Sequence, residues 1–148
     1  MTRADYEKTL LALMMWREAR SLGYAGMRAV GHVAKNRAVK ARCPLYRIIT
    51  DDAQFTSINP PKKTYDPQLD VWPGEDVRFD EAMSLAEKIT LGTDDDPTQG
   101  AEYYLNPDTS TEGGWFARNI CPRETPAKPY PGYKLTLIQG AHYFYAAA

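Results

Sequence analysis

An acidic residue continues an apolar helical stripe close to the N-terminus. Leu11, Met14 and Met15 recur at helical spacing, and Glu18 follows Met15 by three positions and Leu11 by seven. On a helix these four positions share one face. The face that should point inward therefore carries a carboxyl group, and burial favours its neutral form and raises its pKa. A general acid needs this property to hold a proton near neutral pH.

Ion pairing is the alternative to a catalytic role. At the edge of the stripe, Glu18 would pair with Arg17, Arg20 or Arg37. The charge distribution favours pairing in general, because residues 1–50 carry a net charge of +7 and residues 51–115 one of −11. The overall charge of −1 argues against a general nucleic-acid binder. The basic segment can pair with the acidic one or attract an acidic polymer.

The periodicity along the chain predicts a mainly helical α+β fold in one domain, residues 1–148. The stretch 50–74 is rich in Pro and Asp and is predicted to be a long ordered loop, a kind of segment that is usually functional or disordered. A helix capped by Asp76 should end before Gly92, and Gly23 should end the first helix. We predict helices at about 2–20, 26–41, 45–49 and 77–91, a strand at 102–105 and a hairpin of strands 133–138 and 142–145.

Residues that bind metals or form disulfides are scarce. Cys43 and Cys121 are too few for a disulfide framework and lack the spacing of a metal site. His32 and His142 have no second ligand at zinc-site spacing. The acidic run 94–96 resembles the opening of a calcium loop, but it lacks the acidic residue at position twelve. We therefore assign no metal and no cofactor.

The N-terminal sequence shows no signal-peptide pattern. The apolar run 10–16 is short, follows mixed charges and leads into Arg17 and Glu18 without a cleavage site. No stretch approaches the length that spans a bilayer. We expect a monomer made in the cytoplasm, without membrane insertion and with reduced thiols.

Five sequence pieces, in order, resemble one known family. The helix 16–20 (WREAR) with Gly26 and the segment 29–37 is similar to the start of the cell wall hydrolase family that includes the spore cortex-lytic enzymes (the SleB type). The similarity continues through 54–56, 96–101, 103–107 and 140–145 and covers nearly the whole chain. The chain departs from the family at two places: Ser21-Leu22 replaces a Gly-Glu pair of many relatives, and Thr56-Ser57 stands where they usually have Phe-Ser.

The resemblance implies a lysozyme-like fold of the goose-type or lytic transglycosylase kind, a peptidoglycan substrate and a single catalytic glutamate, which maps onto Glu18. In a strand, Tyr103 and Tyr104 point to opposite faces; we favour Tyr103 in the cleft and Tyr104 in the core. Residues 54–57 either bind an acetamido group or anchor the loop. The candidate substrate-binding residues are Gln54, Phe55, Thr56, Tyr103, Tyr104, Asn106 and His142.

The implied reaction separates N-acetylmuramic acid from N-acetylglucosamine. Glycosidases usually use two carboxyl groups, but the only other acid that we single out in the matched motifs, Asp96, has the sequence context of a turn. One acid suffices if the sugar's acetamido oxygen or C6 hydroxyl is the internal nucleophile. Glu18 would protonate the leaving oxygen and then accept the C6 hydroxyl proton, which yields a 1,6-anhydromuramoyl end. Attack by water yields a reducing end.

Several biological settings fit such an enzyme. The lack of a leader or wall-binding module favours a bacteriophage endolysin that accumulates in the host cytoplasm and then attacks the cell wall. A spore-germination cortex hydrolase is the next interpretation. Two different classes stay open: a non-catalytic peptidoglycan-binding or phage structural module, and an amidase or endopeptidase, for which the chain lacks metal ligands.

Overall fold

The structure is a computed structural model that describes residues 1–51 and 54–148. It has five helices and a three-stranded antiparallel sheet in the order β1-β3-β2 within these residues. The predicted mainly helical α+β fold is thus confirmed. The helices are α1 (Arg3–Ala19), α2 (Gly23–Ala41), α3 (Leu45–Thr50), α4 (Val77–Leu91) and α5 (Trp115–Asn119), and the strands are β1 (Tyr103–Leu105), β2 (Tyr133–Gln139) and β3 (His142–Ala147).

The predicted helix caps are largely confirmed. Thr2 and Asp5 form a reciprocal capping box at the start of α1. Asp76 accepts the backbone N–H of Arg78 at the start of α4, and Gly92 ends that helix in the left-handed conformation.

The prediction for Gly23 was wrong, and one short helix was missed. Helix α1 already ends at Ala19, and a 3₁₀ turn, Arg20–Leu22, leads to Gly23, which begins α2 with a φ of 71°. Helix α5 begins directly after Gly113-Gly114, at residues for which we predicted no element. It has five residues, too few to show a clear helical period in the sequence.

The main core lies between α1, α2 and α4. Leu11, Met14 and Met15 are fully buried there, as their spacing predicts. Gly31 of α2 lets the three helices approach closely, because a Cβ atom at this position would lie 2.4 Å from the sulfur of Met15 and 2.8 Å from Ile89 Cδ1. The inner face of α1, which also carries Glu18, is thereby held in a rigid core.

The sheet separates two clusters of apolar side chains. Tyr104 and Phe144 face the helices and pack on the main core. Tyr103, on the opposite face, joins a smaller cluster built on Leu105, Ile120 and Tyr145, against which Phe116 of α5 packs. The predicted alternation of the two tyrosines is confirmed.

Opposite charges pair between the basic helix α2 and the acidic segment, as the charge distribution predicts. Arg28 lies 2.9 Å from Asp94, and Lys40 lies 2.9 Å from Glu102. Cys43 and Cys121 are both free thiols. Over the described residues, none of the helices combines the length and the apolar character needed to cross a membrane.

Candidate active site

Glu18 lies at the C-terminal end of α1, half-buried, with its carboxyl group among neutral donors. The hydroxyl of Ser57 donates to Oε1 over 2.9 Å, and Tyr104 makes a side-chain hydrogen bond to the same carboxyl group. Burial raises the pKa of Glu18, and the nearby charge of Asp66 raises it further; the bonds from Ser57 and Tyr104 act in the opposite direction without cancelling the effect. The site therefore favours a protonated carboxyl group.

The partners of Glu18 are themselves fixed. Ser57 is fully buried. Burial and the charge of Glu18 hold the pKa of the Tyr104 hydroxyl well above its usual range, so this group keeps its proton and can donate. Both hydroxyls orient the carboxyl group without ionising it, which is the environment that a general acid requires.

The arginines of α1 hold the loop that carries Ser57. Arg17 is only 6% exposed and donates to the carbonyl oxygens of Ser57 at 2.9 Å and Val71 at 3.2 Å. Arg20 donates to the Gln68 side-chain oxygen over 2.7 Å. In the described part of the chain these guanidinium groups bind the loop and not Glu18, so the ion-pair alternative for Arg17 and Arg20 is wrong.

Arg37 approaches the site from α2 without taking a direct bond to the acid. Its Nε donates to the Glu102 carbonyl oxygen at 2.5 Å, and its guanidinium carbon lies 5.0 Å from the centre of the Phe55 ring. Burial lowers the pKa of Arg37, and the charge of Glu18 is among the groups that act against this effect. Arg37 thus contributes positive charge near Glu18 while its donors are used elsewhere.

The segment 54–56 divides between core and surface. Phe55 is 2% exposed and belongs to the main core, so it supports the loop from below instead of lining a cleft as we expected. Gln54 is exposed and lies 3.5 Å from an Arg37 nitrogen. The hydroxyl of Thr56 donates to Asp66 over 2.6 Å. The loop-anchoring interpretation thus holds for Phe55, whereas Gln54 and Thr56 remain at the surface.

The structure confirms Tyr104 on the core face, whereas the expected role of Tyr103 in a substrate cleft stays a prediction. Tyr104 packs on the core face as we expected, but its hydroxyl reaches Glu18, because the core face of the sheet is also the side on which the acid lies. Tyr103 instead packs against Trp115 at a ring-centre distance of 5.7 Å. It also lines a groove of about 220 Å³ together with Arg37 and Gln54.

His142 and Asn106 stand further from the acid. The His142 ring lies edge-on to Tyr104 at a centre distance of 5.3 Å, and its buried Nδ1 has no hydrogen-bond partner among the described residues. Burial lowers the pKa of His142. Asn106 accepts the backbone N–H of Asp108 at 3.0 Å and so shapes the turn after β1. His142 therefore supports Tyr104, and Asn106 organises a loop.

A larger groove lies on the other side of Thr56. It encloses about 870 Å³, within the size range of ligand pockets. Asp66 lies in its wall, half-buried. The lining residues are Thr56, Pro60, Pro61, Thr64, Tyr65, Asp66, Pro67, Gln68 and Thr109.

Asp96 serves the turn that its sequence context predicts. Its carboxylate accepts Asn36 Nδ2 at 2.9 Å and the backbone N–H groups of Thr98 at 2.7 Å and Gly100 at 2.9 Å. Within residues 1–51 and 54–148, no group of three or more His, Cys, Asp and Glu side chains is arranged to hold a metal ion.

Residues 21–126 match the family model described as Cell Wall Hydrolase. The chain belongs to the cell wall hydrolase family. No curated protein and no solved structure matches the chain. Ser57, Asp66 and Tyr104 lie inside the segment that matches the family, whereas Glu18 and His142 lie outside it, so the family match does not bear on Glu18 itself.

The sequence missed two features of this site. Nothing in the local sequence links Asp66 to Glu18, since 48 positions separate them and the intervening loop has no periodicity. Arg17 and Arg20 were considered only as ion-pair partners, although their spacing of three places both on the loop-facing side of α1.

Proposed function

We propose that this cell wall hydrolase cuts the glycan strand of peptidoglycan between N-acetylmuramic acid and N-acetylglucosamine, with Glu18 as the general acid. The observation that carries the proposal is a half-buried carboxyl group whose pKa is raised by burial and which two hydroxyls orient. The family is described as Cell Wall Hydrolase, so membership supports a cell wall polymer as the substrate. Glycosidic bonds need a proton on the leaving oxygen, and this group is suited to deliver it.

The first step is proton transfer from Glu18 to the glycosidic oxygen. The bond between that oxygen and the anomeric carbon breaks with its electron pair on the oxygen, and positive charge develops on the sugar ring. The ionised Glu18 then accepts hydrogen bonds from Ser57 and Tyr104. These bonds are stronger to a carboxylate than to the neutral acid.

The second step can proceed with either of two nucleophiles, and the product records which one attacks. The C6 hydroxyl of the muramoyl residue closes a 1,6-anhydro ring after losing its proton to Glu18. Water instead gives a reducing end that is heavier by one water molecule. Both products require Glu18 as the acid.

Digestion of purified peptidoglycan tests the acid. We expect Glu18→Gln to lower the release of glycan fragments about 10³-fold, because a positioned general acid contributes 10²- to 10⁴-fold. Glu7→Gln is the matched control: it makes the same change on the same helix, where Glu7 pairs with Arg3, and should leave the rate unchanged. Fragments are identified and counted by mass spectrometry.

Other outcomes would support the rival classes. Equal fragment release by wild type and Glu18→Gln would remove Glu18 from the reaction. Bacteriolysis without new glycan ends, accompanied by new free amino groups, would indicate cleavage of the peptide stems. Binding to peptidoglycan without any cleavage would indicate a non-catalytic module. The role as a phage endolysin stays a prediction.

A further inference from the structure

Asp66 is fixed at the edge of the large groove by two hydrogen bonds. Its Oδ1 accepts the backbone N–H of Gln68 at 2.9 Å, which caps the 3₁₀ turn Pro67–Asp70, and its Oδ2 accepts the Thr56 hydroxyl at 2.6 Å. An ionised carboxylate offers about four lone-pair positions. Two of them are used here, so the group is oriented and can still accept a proton from a water molecule in the groove.

Two consecutive residues, Thr56 and Ser57, donate hydrogen bonds to Asp66 and Glu18, one to each acid. Thr56 donates to Asp66, and the next residue, Ser57, donates to Glu18 over 2.9 Å. Each side chain of the Thr56-Ser57 pair thus donates a hydrogen bond to one of the two carboxyl groups. The charge of Asp66 also helps to raise the pKa of both Glu18 and Tyr104. The two acids therefore belong to one electrostatic unit.

The surroundings of the two acids differ in a way that suits different tasks. Glu18 lies among buried groups, which favours the protonated form. Asp66 lies in the wall of a groove of about 870 Å³ that has room for sugar and water. A half-buried acid with a raised pKa and a second carboxylate at a groove are the two components that a hydrolytic glycosidase uses.

We propose that Asp66 is the general base that activates a water molecule for attack on the anomeric carbon of the muramoyl residue. This inference rests on the proposed function and extends it, because it selects water over the C6 hydroxyl as the main nucleophile. Glu18 alone does not select between them.

The step balances with one water molecule. The water oxygen forms a bond to the anomeric carbon while one of its protons passes to the Asp66 carboxylate. The bond from the anomeric carbon to the leaving oxygen breaks, and that oxygen receives the proton of Glu18. The products are a hydrated reducing end and a free hydroxyl, and a proton exchange through solvent returns both acids to their starting forms.

The test compares the products of wild type, Asp66→Asn and Asp80→Asn. Asn also caps helical turns, so Asp66→Asn should keep the fold, which thermal unfolding verifies. Wild type should release mainly hydrated fragments. Asp66→Asn should form them about 100-fold more slowly, with a larger share of 1,6-anhydro ends. Asp80→Asn changes an exposed carboxylate on α4, outside the groove, and should match wild type.

A second variant separates catalysis from loop structure. Thr56→Val removes the hydroxyl that orients Asp66 but keeps its carboxylate, so hydrated product should form about tenfold more slowly, with a smaller change in the product ratio. A loop that is merely disturbed would slow both products equally. The proposal of Asp66 as the base would be overturned if wild type makes only 1,6-anhydro ends. It would also be overturned if Asp66→Asn forms hydrated product at the wild-type rate. Both results would leave Glu18 as the acid. No cleavage by wild type would defeat both proposals.

Discussion

Two acidic residues of this chain, Glu18 and Asp96, meet opposite environments in the same fold. Glu18 accepts hydrogen bonds from the hydroxyls of Ser57 and Tyr104 and from the backbone of Ser57. Asp96 is bonded by an amide of Asn36, two groups of Thr98 and the backbone N–H of Gly100. Burial would raise the pKa of both carboxyl groups, but only at Asp96 do the hydrogen bonds outweigh it and lower the pKa below its ordinary value.

The balance between burial and hydrogen bonding distinguishes a proton donor from a structural anion. A carboxylate that accepts several N–H and O–H bonds is stabilised in its charged form. A carboxyl group with few donors in a dry place is easier to protonate, and it retains a proton that can be delivered to substrate. The environment of Glu18 thus favours a protonated group that can donate its proton, whereas the contacts of Asp96 hold α2 against the segment 94–101.

The largest expected effect in this comparison is on stability at the Asp96 turn. Asp96→Ala leaves the donors of Asn36, Thr98 and Gly100 without their acceptor, and we expect a loss of about 3 kcal/mol in the free energy of unfolding. Denaturant unfolding measures it. Asp95→Ala, at an exposed neighbour, is the control and should change stability by less than about 0.5 kcal/mol.

The pH dependence of the Asp96 contribution has a definite sign. Because the folded pKa of Asp96 lies below its ordinary value of 3.8, its stabilisation is fully present above that value and is lost as the pH falls through the folded pKa. The gap in stability between wild type and Asp96→Ala should therefore narrow in acid. A gap of constant size, or no gap near neutral pH, would contradict the structural role of this carboxylate.

The sequence predicted most of the elements but not the partners of Glu18, whose role as the acid stays a prediction. Helical spacing placed Glu18 on the inner stripe of α1 because the helix is long and apolar side chains recur along that face. Ser57 was named only as an alternative to Thr56, and Asp66 was not considered. Both lie in the segment 54–76, which the distant contacts of Arg17 and Arg20 hold in place and in which local periodicity gives no guide.

The tyrosines show a different limit of sequence reasoning. Alternation in β1 correctly predicts that Tyr103 and Tyr104 face opposite ways. It does not say on which side Glu18 lies, because that depends on how the sheet packs on α1 and α2. Glu18 lies on the same side of the sheet as the main core, so Tyr104, the tyrosine on the core face, is the one that reaches it. The expected role of Tyr103 in a substrate cleft stays a prediction.

An intermediate effect is expected from Ser57→Ala. This substitution removes a hydrogen-bond donor from Glu18 and so makes its site less like that of Asp96, which has several donors. The Ser57 bond lowers the pKa of Glu18, so its loss should raise that pKa and shift the alkaline limb of the pH profile to higher pH. At the wild-type optimum we expect about a tenfold loss of kcat/KM, the value of one hydrogen bond to a charged group.

Tyr104→Phe and Ser84→Ala complete that measurement. Tyr104→Phe removes the other donor and should shift the alkaline limb in the same direction. Ser84 is exposed on α4, so Ser84→Ala should reproduce the wild-type profile. A limb that moves to lower pH in Ser57→Ala would mean that Glu18 is not the group that titrates.

The smallest expected effect is a gain in stability from removing the acid. Because the folded pKa of Glu18 lies above its ordinary value of 4.5, ionisation costs stability as the pH rises from about that value through the folded pKa. Glu18→Gln avoids this cost and should stabilise the fold by about 1 kcal/mol near neutral pH, a typical gain when a functional group is replaced. The gain should disappear near pH 4, where the Glu18 carboxyl group of wild type is mostly protonated in both the folded and the unfolded state.

Denaturant unfolding at both pH values measures this gain in stability, with Glu7→Gln as the control. A loss of stability at neutral pH would place Glu18 with Asp96 as a structural carboxylate, because removing a well-bonded anion leaves its donors unpaired.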